Sequence, residues 1–230
     1  MVTTIGLDAD DTLWQNERYY RAAEAEFAEL LADYADRVDL ENLLNAHHRQ
    51  NIQLYGVGAK SFTLTLIETA IEVSGGAAPA NLLRQIVKIG QEILTHPIEL
   101  LPHAREVVEE LSAQYRVVLI TKGDLLHQER KIAASLLGDH FDAIEIVSEK
   151  KSRTYEQIFA RHGGGARASV MVGNSLKSDI IPAIEAGAWG VHVPHDQTWA
   201  LEFAEPPDAA PRYRKIAHLG ELPDLLAQIA

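Results

Sequence analysis

The chain has 230 residues, 47% of them hydrophobic, which is typical of a globular protein with a substantial core and excludes a disordered chain. The formal net charge is −12, and no segment concentrates Lys and Arg, which argues against nucleic acid as a partner. Cysteine is absent, so disulfides, thiolate metal ligands and cysteine nucleophiles are excluded. The sequence shows no signal-peptide pattern and no apolar run of ~20 residues, so we expect a cytoplasmic protein without a membrane partner.

The first predicted element is a strand over residues 3–7, an apolar run rich in β-branched side chains. Amphipathic patterns then predict helices at 17–34, 40–51, 63–73, 81–95 and 103–114. Turn signals at 55–58 and 74–79 divide the first four of these helices into two hairpins. This stretch therefore predicts an inserted helical bundle.

The rest of the chain alternates between strands and helices. Further apolar runs predict strands at 117–121, 144–147, 169–172 and 190–193, with helical patterns between them at 125–137, 154–162 and 179–186. These spacings suit right-handed crossovers in a parallel sheet. We therefore predict an α/β protein, with a doubly wound parallel-sheet (Rossmann-like) core of residues 1–14 and 98–230 and an inserted helical domain of residues 15–97.

Polar residues follow four of the predicted strands. In an open parallel sheet, ligands bind beyond the carboxyl ends of the strands, so these side chains are expected to converge on one rim. In chain order they are Asp8, Asp10 and Asp11; Thr121, Lys122 and Asp124; Lys150 and Lys151; and Asn174, Ser175, Ser178 and Asp179.

The three acids Asp8, Asp10 and Asp11 follow an apolar strand, where their mutual repulsion and burial are costly without a nearby positive charge. A Mg²⁺ ion, which binds oxygen ligands, would supply that charge. The Asp-x-Asp spacing also lets one carboxylate attack while its neighbour transfers protons.

These residues resemble the signatures of the haloacid dehalogenase-like hydrolase superfamily. The run from Asp8 to Thr12, Asp-Ala-Asp-Asp-Thr, is similar to the first signature of its phosphatase branch, Asp-x-Asp-x-Thr. Thr121 resembles the second signature, Lys150 the third, and residues 173–179 the acidic fourth. The inserted helices at 15–97 are similar to the type 1 cap of that superfamily.

The resemblance implies a role for each matching residue. Asp8 would be the nucleophile, Asp10 the general acid/base, and Thr121 and Lys150 would bind the transferring phosphoryl group. Asp8, the backbone carbonyl of Asp10, Asn174 and Asp179 would hold Mg²⁺. Lys122, beside Thr121, and Lys60, in a Gly-rich turn of the cap, are further candidates for substrate binding.

Two positions depart from the family pattern. An acid usually stands where this chain has Asn174, whose amide carbonyl can bind Mg²⁺ but adds no charge. The third signature is often Lys-Pro, whereas this chain has Lys150-Lys151. We favour Lys150, which is nearer the strand end, with Lys151 as the alternative.

The sequence thus predicts a Mg²⁺-dependent phosphomonoester hydrolase that acts on a small phosphorylated metabolite. One alternative is a 2-haloacid dehalogenase, which uses the same fold and nucleophile but attacks carbon. In that subfamily the position of Asp10 is normally not acidic, which favours phosphoryl transfer here. A second alternative is a catalytically silent binding protein with the same fold.

Overall fold

A computed structural model describes residues 1–229 and contains one parallel sheet within that range. Its six strands are β1 (Thr4–Leu7), β2 (Arg116–Lys122), β3 (Ala143–Val147), β4 (Ser169–Gly173), β5 (Trp189–His192) and β6 (Tyr213–Lys215). They are ordered β3-β2-β1-β4-β5-β6. The first strand therefore lies inside the sheet, between β2 and β4, as the doubly wound prediction requires.

Helices cover both faces of this sheet. They are α5 (Ala104–Ser112), α6 (Leu125–Ser135), α7 (Ser152–His162), α8 (Ile181–Glu185) and α9 (Leu222–Ile229). Side chains of α5, α6 and α9 pack with Val117 and Leu119 of β2, whereas those of α7 and α8 pack with Val118 and Ile120. Because alternate residues of one strand are buried on opposite faces, β2 reads as a continuous apolar run. The predicted α/β fold class is confirmed.

Four further helices form a bundle, namely α1 (Glu17–Leu30), α2 (Arg37–Tyr55), α3 (Ala59–Val73) and α4 (Ala80–Ile93). Their shared core includes Phe27, Leu66 and Ile86, all fully buried. By contact, the chain divides into a core unit of Met1–Glu17, Ile98–Lys122 and the chain from Gln128 onward, and a helical unit of Arg18–Pro97 with Gly123–His127.

Several helices have other ends than predicted: α1 ends at Leu30, α2 spans Arg37–Tyr55 and α3 begins at Ala59. Two elements of the core unit differ as well. The short strand β6 was not predicted, because only three residues pair and two of them, Arg214 and Lys215, are charged. The helix predicted at 179–186 begins earlier, as a π-helical turn at Leu176–Ile180 that continues into α8. Along residues 1–229, no helix is both long and apolar enough to cross a membrane.

Candidate active site

The sheet order brings the ends of β1, β2 and β4 together. Leu7 of β1 is paired with Leu119 of β2 and with Val172 of β4. Asp8 is the next residue after Leu7, Thr121 lies two residues beyond Leu119, and Asn174 lies two residues beyond Val172. Since all three strands are parallel, their polar ends meet at one edge, as the sequence predicts.

Asp8 lies in a buried charged cluster with Lys150. The ammonium Nζ of Lys150 lies 2.5 Å from Oδ1 of Asp8 and 2.7 Å from Oδ1 of Asp179. The hydroxyl of Thr12 donates to the other carboxylate oxygen of Asp8 at 2.9 Å. The adjacent Lys151 is 70% exposed and pairs with Glu149. Of the two candidate lysines, the structure therefore brings Lys150 to Asp8.

This cluster holds more negative than positive charge. Burial and the neighbouring Asp179 raise the pKa of Asp8 to about 7, although Lys150 acts in the opposite direction. Burial acts to lower the pKa of Lys150, but Asp179 and Asp8 outweigh it and raise that pKa above its ordinary value. Two carboxylates thus share one ammonium group, so the charge of the cluster would be balanced by a further cation.

The π-helical turn after β4 sets the position of Asp179. Ser175 precedes this turn; its hydroxyl accepts from the backbone N–H of Ser178 at 2.9 Å, and its own N–H donates to Oδ2 of Asp179 at 3.0 Å. A Cβ on Gly173 would lie 2.3 Å from the same carboxylate oxygen. A glycine is therefore needed at 173 for Asp179 to reach Lys150.

Asp10 lies in a separate set of contacts that the sequence analysis missed. Both of its carboxylate oxygens bind the ammonium of Lys131, at 2.6 and 2.7 Å, and they also accept from Trp14 at 2.7 Å and Gln128 at 3.2 Å. Burial acts to raise the pKa of Asp10, but these contacts, led by Lys131, hold that pKa below its ordinary value. Gln128 and Lys131 stand three residues apart on one face of α6, a spacing visible in the sequence.

Thr121 and Asp11 complete this side of the rim. Thr121 is buried, and its hydroxyl accepts from the side-chain amide of Gln128 at 2.6 Å, which links it to Asp10. Asp11 accepts from the backbone N–H of Asn16 at 2.8 Å and of Glu17 at 3.0 Å. Its carboxylate thus satisfies free N–H groups at the start of α1, which is a capping role.

Asn174 lies beside the Asp8 cluster. Its backbone N–H donates to the hydroxyl of Thr12 at 3.0 Å, and its side-chain Oδ1 lies 3.4 Å from the same hydroxyl. The nearby oxygens of Asp8, Asn174 and Asp179 are of the type that Mg²⁺ prefers, and their surplus negative charge fits a cation. Within residues 1–229, no group of three or more His, Asp or Glu side chains is arranged to hold a metal. That finding is compatible with Mg²⁺, which commonly uses one or two carboxylates with water and substrate phosphate.

The two remaining lysine candidates have other partners. Lys122 lies in the core unit, where its ammonium donates to Ser178 at 2.9 Å and to Glu202 at 2.5 Å. Lys60 lies in the helical unit, where its ammonium is 3.6 Å from Asp124 and its side chain is 61% exposed. Asp124 also accepts from the backbone N–H of Lys60 at 3.0 Å, near the start of α3.

Comparison with known proteins gives a consistent family. Residues 2–187 match the family model of the haloacid dehalogenase-like hydrolases. A haloacid dehalogenase-like family hydrolase from Xanthomonas campestris has a similar structure, with 40% identity and a TM-score of 0.89 over 99% of this chain and 91% of that one. L-2-haloacid dehalogenase from Xanthobacter autotrophicus shares the fold, at 16% identity and a TM-score of 0.63 over the whole of both chains.

Curated relatives carry a phosphatase name. N-acylneuraminate-9-phosphatase from Mus musculus is 29% identical over 125 residues, which are 52% of this chain and 50% of the relative. The human protein of the same name is 28% identical over the same length. This chain thus spans about half the length of the curated relatives it matches.

Proposed function

The chain belongs to the haloacid dehalogenase-like hydrolase family, and we propose that it is a Mg²⁺-dependent phosphomonoester hydrolase that forms an aspartyl-phosphate. The observation that carries the proposal is the buried carboxylate of Asp8, which contacts Lys150 and Thr12. Asp10, two residues further along the chain, supplies a second carboxylate. A halide leaving group in a dehalogenase reaction needs no proton donor, whereas an alkoxide leaving group in phosphate-ester hydrolysis does. The phosphatase name of the curated relatives supports the same choice.

In the first half-reaction, a carboxylate oxygen of Asp8 attacks phosphorus in line with the ester oxygen. The new bond joins Asp8 to phosphorus, the bond from phosphorus to the ester oxygen breaks, and that oxygen takes a proton from Asp10. Lys150 stabilises the charge that spreads over the phosphoryl oxygens, and Thr121 donates a hydrogen bond to one of them.

In the second half-reaction, Asp10 takes a proton from water as the water oxygen attacks phosphorus. The bond between phosphorus and Asp8 breaks, and inorganic phosphate and the free carboxylate are released. The lowered pKa of Asp10 keeps its carboxylate ionised, which is the protonation state that the base role requires. For the acid role, Asp10 must carry a proton and therefore separate from Lys131.

The proposed Mg²⁺ ligands are Asp8, the backbone carbonyl of Asp10, Asn174 and Asp179. When bound, the ion would neutralise charge on the phosphate oxygens and offset the repulsion between the buried carboxylates. This role fits the raised pKa of Asp8, which burial and the neighbouring carboxylate of Asp179 raise despite the ammonium of Lys150.

We propose a small phosphorylated metabolite as the substrate. The relatives named for a sugar-acid phosphatase support this class, and the chain's net charge of −12 disfavours a large polyanion. The helical unit is proposed to serve as the cap, and a substrate contact by Lys60 stays a prediction.

The test is an assay of the purified protein with p-nitrophenyl phosphate, with Mg²⁺ and with EDTA, beside an Asp8→Asn variant. We expect Mg²⁺-dependent phosphate release that Asp8→Asn abolishes. A parallel assay measures chloride release from 2-chloropropionate. Chloride release without phosphate release would establish the dehalogenase alternative, and the absence of both would establish the silent binding protein.

A further inference from the structure

Glu202 is a partly buried acid in an otherwise irregular segment. It ends a short 3₁₀ turn, Ala200–Glu202, between β5 and β6. Its side chain is only 16% exposed, whereas the neighbouring Phe203 is 67% exposed. Burying a carboxylate costs several kcal/mol unless it is paired, so the partners of Glu202 must compensate for its burial.

Those partners come from two separate strand ends. Oε1 of Glu202 accepts from the ammonium of Lys122 at 2.5 Å. Lys122 is the last residue of β2 and directly follows Thr121. Oε2 accepts from the hydroxyl of Ser175 at 2.6 Å and from the hydroxyl of Ser178. Burial acts to raise the pKa of Glu202, but Lys122 and the two hydroxyls outweigh it and lower that pKa, so the carboxylate is ionised.

A further contact fixes the segment that carries this acid. The ammonium of Lys177 donates to the backbone carbonyl of Leu201 at 2.6 Å. The 3₁₀ turn is therefore attached to the π-helical turn Leu176–Ile180 through both backbone and side chain.

One of the residues that Glu202 binds, Ser175, also holds a proposed metal ligand, Asp179. The hydroxyl of Ser175 accepts from the N–H of Ser178, and the N–H of Ser175 donates to Asp179. A shift of this turn would move Asp179 relative to Lys150. Buried ion pairs often contribute little net stability compared with apolar groups of similar size, so the pair of Glu202 and Lys122 is better explained by the geometry that it fixes.

We infer that Glu202 is a positioning residue for the proposed reaction, on whose validity this inference rests: its carboxylate holds Lys122, Ser175 and Ser178 so that Asp179 stays in place for Mg²⁺ and Lys150. Residues that orient metal ligands by hydrogen bonds, without contacting the metal themselves, typically contribute about 10–100-fold to metal affinity or activity. None of the four family signatures includes this residue.

The experiment compares Glu202→Ala and Glu202→Gln with the matched controls Glu205→Ala and Glu205→Gln. Glu205 is an exposed acid three residues further along the same segment, so its variants make the same change in net charge. The readouts are kcat and KM for p-nitrophenyl phosphate, the Mg²⁺ Kd by isothermal titration calorimetry, and the circular dichroism spectrum.

We expect Glu202→Ala to lower kcat and to weaken Mg²⁺ binding by about 10–100-fold, with a smaller change in KM. Glu202→Gln should retain more of the kcat and of the Mg²⁺ affinity than Glu202→Ala. Its amide can still form hydrogen bonds with Lys122 and with the hydroxyls of Ser175 and Ser178. The controls should match the wild type. If Glu202→Ala does not fold, the comparison of Glu202→Gln with Glu205→Gln decides.

Equal kcat and equal Mg²⁺ affinity in the Glu202 and Glu205 variants would overturn the inference. A wild-type protein that hydrolyses no phosphate ester would instead overturn the proposed function. In that case the calorimetric Mg²⁺ affinities still decide whether Glu202 positions the metal ligands.

Discussion

Asp8 and Asp10 leave the same strand end but lie in opposite electrostatic surroundings. Around Asp8, two buried carboxylates share the single ammonium of Lys150, and burial raises the pKa of Asp8 to about 7. Around Asp10, one carboxylate pairs with the ammonium of Lys131, which also donates to the amide oxygen of Asn16. Trp14 and Gln128 are further donors to Asp10. The comparison indicates that an added cation would stabilise the Asp8 side, whereas the carboxylate of Asp10 already has a counter-charge in Lys131.

The largest expected effect tests this division of roles. Asp10→Asn should lower kcat for an alkyl phosphate by about 10²–10⁴-fold, because both proton transfers are lost. The loss of kcat/KM, which reports the first half-reaction, should be smaller for p-nitrophenyl phosphate, whose leaving group needs no proton. Since the second half-reaction slows, a phosphorylated protein should accumulate and be visible by intact mass spectrometry.

The control for this experiment is Asp8→Asn, which lacks the nucleophile and should form no phosphorylated protein. Equal losses of kcat/KM for the two substrates in Asp10→Asn would contradict the assignment of Asp10 as the proton donor.

The second prediction removes the positive charge on the Asp10 side. Lys131→Met leaves Asp10 without its counter-charge and should lower the free energy of unfolding at pH 7 on the order of 3 kcal/mol. The pKa of Asp10 is lowered in the folded state, so this pairing stabilises the protein above the ordinary pKa and is lost as pH falls through the folded pKa. Urea denaturation at pH 7 and at a pH below 3.8 should show a smaller free-energy difference between Lys131→Met and the wild type at the lower pH.

Two further variants make that result specific. Lys151→Met removes an exposed lysine and should change the free energy of unfolding by less than about 0.5 kcal/mol. The double variant Asp10→Asn, Lys131→Met leaves no unpaired charge at this position, so part of the stability should return. A double variant as unstable as Lys131→Met would argue against the charge explanation.

The Asp8 side could be anticipated from the sequence far better than the Asp10 side. Polar residues that follow buried strands are placed by the sheet itself, and parallel order then brings Asp8, Thr121 and Asn174 to one edge. Lys131 lies in the middle of a helix, where a lysine usually faces solvent. Only the packing of α6 shows that it is buried against Asp10.

Glu202 was still harder to predict. It belongs to a segment with no hydrophobic period, so sequence patterns give no register that would point its side chain inward. Ser175 and Ser178 at the π-helical turn are hydroxyl donors that need an acceptor. They indicate the position of Glu202 only when the structure of that turn is known. The missed strand β6 has the same cause, since three residues are too few to show alternation.

The third prediction concerns Mg²⁺ on the Asp8 side. A cation that binds only the folded protein should raise the free energy of unfolding by about 2.7 kcal/mol at a concentration 100 times its Kd. The measurement is the shift of the thermal unfolding midpoint with Mg²⁺ concentration. Asp179→Asn should abolish the shift, whereas Asp139→Asn, at an exposed acid of the core unit, should preserve it. A shift that survives in Asp179→Asn would place the ion elsewhere.

The fourth prediction is a pH dependence of the metal-free protein, which is the smallest effect when expressed per pH unit. The pKa of Asp8 rises from 3.8 to about 7 on folding, so between these values the folded state holds a proton that the unfolded state has released. Stability from this group is therefore present at low pH and is lost as pH rises towards 7, with a slope of at most about 1.4 kcal/mol per pH unit. Urea denaturation in EDTA from pH 4 to pH 8 measures this slope.

The Asp8→Asn variant should reduce the slope without removing it, because burial also raises the pKa of Asp11, to about 6. If wild type and Asp8→Asn differ by a constant amount across this range, Asp8 does not titrate there and the contrast with Asp10 fails.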